Sequence, residues 1–218
     1  MKIIFCIPGK EFSNNFLMAW SELMIWCMEN KIQFMISNNY SPVVYYARNK
    51  CLGGDVRKGI KQKPFDEKLS YDYIMWIDSD IIFNVEQLKK LIESGKDIVS
   101  GLYKMSDNKH YATVKDMDDE FFKKNGYYPF LKEEDIKGKE LMEVDYTGFG
   151  WMLIKKGVFE SLDYPWFRPL WTKFEMKDKI IEDFSSEDVG FCKLIREKGY
   201  KIYVHPEVIV GHEKKFVI

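Results

Sequence analysis

Over the first hundred positions, short unbroken apolar runs alternate with stretches of helical periodicity. Lys2 to Ile7 is apolar almost throughout and stops at Pro8-Gly9, the pattern of a strand covered on both faces. After a polar turn with Ser13 and Asn14, the residues Phe16, Trp20, Leu23, Met24 and Cys27 recur at helical spacing. Ile32 to Ile36 predicts a second strand. Ser41-Pro42 predicts a helix start, with serine as N-cap and proline in the first helical position. That helix carries Tyr45, Tyr46, Arg48 and Asn49 and stops at Gly53-Gly54. Asp55 to Ser70 is polar and loop-like, and Tyr73 to Ile77 is a third strand. Asn84, with Gln87 three residues later, forms a capping-box pattern for a helix that begins at Val85 and ends at Gly95. Asp97 to Leu102 predicts a fourth strand. This alternation predicts an α/β fold with a mostly parallel central sheet flanked by helices.

The rhythm breaks at Lys104 to Glu143, a charged, turn-rich stretch expected to cross the surface rather than form a second domain. It resumes at VDYTGFGWMLIKKGVF, where Gly148 and Gly150 lie between two strands. Asp163 to Asp183 reads as irregular and is crowded with Trp166, Phe167, Trp171 and Phe174. Ser185-Ser186 opens a helix to about Lys198, ended by Gly199, and Tyr200 to Val204 is the last strand before VIVGHEKK. There is no internal repeat and no low-complexity tract. The 218 residues suit a single domain, 1–218.

Composition narrows the partners. Aromatic residues make up 16% of the chain, so some rings are expected to line a cleft as well as the core. A formal net charge of -1, without a long basic run, offers no footprint for nucleic acid. Cys6, Cys27, Cys51 and Cys192 lack zinc spacing and are expected to be reduced core thiols. No apolar stretch approaches the roughly 18 residues of a membrane span. The apolar part of MKIIFCIPGK is too short for a signal peptide. These features predict a soluble, cytoplasmic protein.

The chemistry concentrates at YDYIMWIDSDIIF. Asp78 and Asp80 stand at the end of a strand, separated only by Ser79. If the chain is still extended there, the period of two points both carboxylates to one face, where a divalent cation would relieve their repulsion. Acidic pairs in solvated turns give the same pattern. In parallel sheets ligands bind beyond the carboxyl ends of strands, where Pro8-Gly9 and Asp78–Asp80 both lie.

The ordered set IDSD, TGFGWMLIKK, SEDVGFCKLIREKGYKIYV and a terminal Gly-His resembles the GT-A glycosyltransferases. The similarity is to the small, family-2-like enzymes of bacteria, large viruses and phages, and runs from the first strand to His212. It implies a nucleotide-binding half over 1–102 and an acceptor and catalytic half over 103–218. It also implies a nucleoside-diphosphate sugar donor, a UDP sugar foremost, with Mn²⁺ or Mg²⁺ neutralising the leaving diphosphate. Asp80 matches the direct metal ligand, Asp78 a contact to ribose or metal, and His212 a late ligand. Imidazole beside carboxylates suits Mn²⁺ better than Mg²⁺. Asp188 matches the general base that takes the proton of a glycan hydroxyl in inverting members, and Glu187 a residue that contacts the donor sugar or orients that base. Pro8, Gly9 and Ser79 match the nucleoside cradle, Arg48 a basic position near the nucleotide, and Gly148 and Gly150 a close approach of backbone to the donor sugar.

Blander readings stand beside these. Glu187 and Asp188 suit a first helical turn through the helix dipole, Gly148 and Gly150 suit an ordinary turn, and Arg48 suits a solvated helix face. His212 suits a polar chain end, and Trp166 and Trp171 suit either core packing or stacking on a sugar. His110 and His205 read as structural or surface residues. Two other functions fit the same fold. One is a sugar nucleotidyltransferase, although IPGKEFSNN lacks the glycine-rich basic loop that such enzymes carry after the first strand. The other is a binding module that holds nucleotide or glycan without turnover.

Overall fold

The computed structural model describes residues 1–214. In chain order the elements begin with β1 (Lys2–Pro8), α1 (Asn14–Glu29), β2 (Gln33–Asn39) and α2 (Val44–Cys51). β3 (Tyr73–Ile77), β4 (Ile81–Ile82), α3 (Val85–Glu93) and β5 (Ile98–Leu102) follow. β6 (Thr113–Val114), α4 (Asp119–Asn125), α5 (Glu133–Ile136), β7 (Met142–Val144), β8 (Tyr146–Thr147) and β9 (Trp151–Lys155) fill the middle. The chain closes with β10 (Trp171–Glu175), β11 (Ile180–Phe184), α6 (Glu187–Glu197), β12 (Ile202–Ile209) and β13 (Gly211–His212).

Among the described residues one seven-stranded sheet organises the molecule, in the order β2-β1-β3-β9-β5-β12-β7. β2, β1, β3, β5 and β12 run one way, and β9 and β7 run against them. The expected mixed α/β architecture, a large and mostly parallel central sheet flanked by helices, is therefore the one observed. β9, drawn from the second half of the chain, lies between β3 and β5.

Alternation along each strand divides the core into two layers, one on each face. Ile3, Phe5 and Ile7 join Met75, Ile77, Trp151 and Leu153 on the face covered by Phe16, Ala19, Leu23 and Cys27 of α1. Ile4 and Cys6 join Ile74, Trp76, Met152 and Ile154 on the other, where Phe149, Phe159, Phe167 and Phe191 pack together. Both faces are dry, which is why the strand sequences are continuously apolar rather than alternating. All four cysteines are buried and free.

Local signals explain most boundaries. Ser13 caps α1 by accepting from the Phe16 N–H at 3.1 Å. The α3 capping box forms in both directions, at 3.0 Å from Gln87 N to Asn84 Oδ1 and 2.8 Å from Asn84 N to Gln87 Oε1. Other boundaries differ from expectation. α2 begins at Val44, not Pro42, because Ser41 closes its own turn by accepting from Val43 N at 3.3 Å. The last long strand runs to Ile209 through His205-Pro206, where its register with β5 shifts between Val204 and Ile209. Proline has no N–H for the ladder, and a bulge absorbs it. The stretch from Asp163 to Asp183 is not irregular throughout, since β10 and β11 pair as an antiparallel hairpin. The excursion from Lys104 to Glu143 contains β6, α4, α5 and part of β7.

No helix among the described residues is long and apolar enough to cross a membrane. Gly101 shows how tightly the sheet is covered. A Cβ there would fall 2.7 Å from Trp151 Cδ1 and 2.7 Å from Val208 Cγ1. Gly101→Ala is expected to destabilise the protein by about 1–3 kcal/mol through overpacking, read as a lower urea midpoint at unchanged slope.

Candidate active site

The strands' carboxyl ends converge on one edge of the sheet. Pro8-Gly9 leaves β1, Asp78 follows β3, Tyr103 follows β5, and His212 lies just beyond β12. Gly9 is pressed so closely on the turn after β3 that a Cβ would lie 2.6 Å from the Cβ of Ser79. The two turns therefore form one wall. Beside them opens a cleft of about 350 Å³, lined by Lys10, Phe12, Tyr40, Ser79, Asp80 and Lys214 among others. The Lys10 ammonium lies over the Tyr40 ring, 5.1 Å from its centroid.

Asp78 and Asp80 do not share a face. β3 ends at Ile77 and the chain turns, with Ile81 N donating to Asp78 O at 3.1 Å, so the two carboxylates diverge to different partners. Asp80 meets His212, with Oδ2 and Nε2 3.1 Å apart. β13 pairs with β4, His212 opposite Ile81, which is how a residue near the chain end reaches this turn. His212 Nδ1 lies 2.8 Å from the Lys104 carbonyl, a contact that makes it the N–H donor and turns Nε2 towards Asp80. The Lys214 ammonium donates to Asp80 Oδ2 at 3.0 Å, and its nitrogen lies 2.6 Å from His212 Nε2. Partial burial raises the Asp80 pKa, but the hydrogen bonds from His212 and Lys214 outweigh it and hold the carboxyl below its usual range. The bond to Asp80 pulls the His212 pKa up, against desolvation.

This geometry bears directly on a metal. Among the described residues no group of three His, Cys, Asp or Glu side chains is arranged to hold a metal ion, so Asp78, Asp80 and His212 are not assembled as one ligand set. What assembles is a two-donor site, a carboxylate and an oriented imidazole, with a lysine cation already seated between them. That donor set fits a divalent ion that takes its remaining ligands from phosphate oxygens and water.

Asp78 turns inward to Arg48, which sequence reasoning placed near the nucleotide. Arg48 is not on a solvated helix face: it is buried at 3% exposure, with its guanidinium committed to carboxylates. Arg48 Nη2 donates to Asp78 Oδ2 at 3.0 Å, Nη1 lies 3.0 Å from Oδ1, and Nε donates to Glu187 Oε1 at 3.2 Å. The guanidinium lies over the Phe149 and Trp76 rings, 5.2 and 5.7 Å from their centroids. Burial works against its charge, but Asp78 and Glu187 outweigh burial and keep its pKa above the usual arginine range. Glu187 is also buried. Desolvation and then the Asp188 charge raise its pKa, against the pull of Arg48.

Asp188 sits in the first turn of α6. Its Oδ2 accepts from the Tyr146 hydroxyl at 3.0 Å, and its Oδ1 accepts from the Ser186 hydroxyl and from Val189 N, the latter at 2.8 Å. Tyr103 stands between the groups. Its ring meets His212 edge-on at 5.2 Å, and desolvation followed by the charges of Asp78 and Asp188 raises its pKa. The same ring accounts for two glycines. A Cβ on Gly148 would collide with the Tyr103 hydroxyl, and one on Gly150 would lie 2.7 Å from Tyr103 Cε1. Both glycines are buried against this tyrosine.

Tyr103, Tyr146 and Lys214 escaped the sequence reading. Tyr103 carried one usable signal, its position directly after a predicted strand. Trp166 is wholly buried and Trp171 is exposed, which separates two residues that the sequence left alike. His205 accepts from Glu207 N at 3.3 Å and His110 pairs with Asp107 at 2.6 Å, both outside the site.

No family model and no curated protein matches the chain. Solved structures do. The crystal structure of A197 from STIV is 16% identical, with a TM-score of 0.53 over 100% of this chain and 97% of that one. GalNAc-T7, solved with UDP, GalNAc and Mn2+, is 12% identical with a TM-score of 0.48, and 44% of its chain is spanned. The first likeness is one of fold, and the second supports no inference. The class defined by fold and topology is a mixed α/β protein with a large central sheet flanked by helices, the fold it shares with A197.

The buried ion network sets an expectation. Arg48→Met leaves Asp78 and Glu187 without their counter-charge, and a loss of about 3–5 kcal/mol is expected in urea denaturation.

Proposed function

We propose that the protein is a metal-dependent, inverting glycosyltransferase that moves a sugar from a nucleoside-diphosphate sugar, a UDP sugar foremost, to a glycan hydroxyl. The observation that carries this reading is the convergence of Asp80 and His212 on one cation position, beside the cleft at the strands' carboxyl ends. Mn²⁺ or Mg²⁺, held by Asp80 and His212, would supply Lewis-acid neutralisation of the leaving diphosphate. The Lys104 carbonyl holds the imidazole so that Nε2 faces that position. Pro8, Gly9 and Ser79 form the wall against which the nucleoside rests, with Phe12 and Tyr40 as apolar surfaces for its rings. Asp78, held inward by Arg48, fixes the turn that carries Ser79 and Asp80. Residues 1–102 supply most of this donor side.

The second half supplies the base. Asp188 takes the proton of the acceptor hydroxyl through Oδ2, which accepts from Tyr146 and keeps capacity for a second hydrogen bond, whereas Oδ1 already accepts from Ser186 and Val189 N. Tyr146 and Ser186 orient the carboxylate. Glu187, bonded to Arg48, ties its position to that of Asp78.

Calorimetry with UDP, GDP and CMP sugars, with and without Mn²⁺, tests the donor side. One nucleotide family is expected to bind only with metal, and Asp80→Ala is expected to abolish that binding. Metal-independent binding, or none across the panel, overturns the reading. Asp188→Asn is expected to keep donor binding and to lower the transfer rate about 10²–10⁴-fold, the usual worth of a positioned base. An unchanged rate would remove Asp188 from that role.

A further inference from the structure

A pocket of about 170 Å³ lies between α4 and the β10–β11 hairpin, in the two segments that match no part of the resemblance. Its walls are the rings of Phe122, Tyr127, Tyr128, Phe130 and Phe184. The two segments are joined by packing. Phe122 meets Phe174 of β10 at 5.5 Å and Tyr128 at 4.8 Å, and the Lys123 ammonium lies 5.5 Å from the Phe174 centroid.

Two of the wall rings lie open to solvent, Tyr127 at 56% and Phe184 at 63% exposure. Solvated aromatic rings beside a concave surface are more than the core needs. The pocket also reaches the catalytic turn. Val189, the residue after Asp188, forms part of its lining, and Phe130 packs against Tyr146, whose hydroxyl donates to Asp188.

Resting on the glycosyltransferase reading, we infer that this pocket seats a pyranose ring of the acceptor, so that the acceptor is a glycoside. The volume suits a single ring. Aromatic walls match the C–H face of a sugar, and Thr172, Asp183 and Lys193 at the same pocket offer hydrogen bonds to its hydroxyls. A phosphorylated acceptor fits poorly, because the one cationic side chain in the lining, Lys193, is accompanied by the carboxylate of Asp183.

The test needs neither donor nor metal. Saturation-transfer NMR would be run on the full chain with the methyl glycosides of glucose, galactose, mannose and N-acetylglucosamine, and with benzyl alcohol as a purely aromatic probe. At least one glycoside is expected to bind through its ring protons, and Phe184→Ala or Tyr127→Ala to weaken it about tenfold. Both side chains are exposed, so a circular dichroism spectrum matching wild type is expected for each variant. The inference is overturned if no glycoside binds, if both variants bind as wild type does, or if benzyl alcohol displaces the glycoside at equal concentration. Metal-dependent donor binding alongside any of these results would leave the donor reading standing and remove only the acceptor subsite.

Discussion

The site depends on one buried guanidinium. Arg48 lies on α2 beneath the carboxyl end of the sheet, between Asp78 after β3 and Glu187 at the start of α6. Taking that charge out of water is costly, and a lone arginine on these aromatic rings would not be tolerated. Two carboxylates, Asp78 at Nη1 and Nη2 and Glu187 at Nε, make the burial stable, and both are thereby fixed in place. Asp80 is two residues from one of them, and Asp188 is adjacent to the other. Two acidic motifs more than a hundred residues apart in sequence are thus held in register by a side chain that belongs to neither.

This network explains why the paired acids read only partly correctly from sequence. Counting in twos from the β3 strand puts Asp78 and Asp80 on one face, as long as the chain stays extended. The chain turns instead, because Asp78 follows its guanidinium inward while Asp80 follows β4 towards His212. Periodicity describes a strand but says nothing about where the strand stops. The burial of Arg48 was hidden for a related reason. An arginine on a short polar helix looks solvated until the acids facing it are known, and those acids lie 30 and 139 positions away.

The layers of the sheet were more legible. β1, β3 and β9 are dry on both faces, so their sequences are apolar runs that no loop would carry. The capping box of α3 was equally plain, because its chemistry is local. The β10–β11 hairpin was not, since it stands apart from the main sheet and has no buried face to impose alternation on Trp171–Glu175 or Ile180–Phe184. Gly148 and Gly150 were legible as special, with an ordinary turn and a close approach of backbone to a donor sugar as the two readings. Neither included Tyr103, which occupies the space that side chains there would need.

Lys214 adds a constraint on the donor side. Its ammonium is held by the same two atoms that would hold a divalent ion, Asp80 Oδ2 and His212 Nε2. That ammonium compensates the carboxylate's charge, while the Lys104 carbonyl holds the imidazole in place. A divalent ion entering between the same atoms must displace that lysine, and a displaced Lys214 stays beside the cleft it lines. In the proposed reaction the ammonium would then be close to the diphosphate, where a positive charge would serve the leaving group. Asp80 and His212 are fixed by β4 and β13, whereas Lys214 extends past the end of β13, so the exchange asks for movement of a side chain at the chain's edge and leaves the sheet as it is.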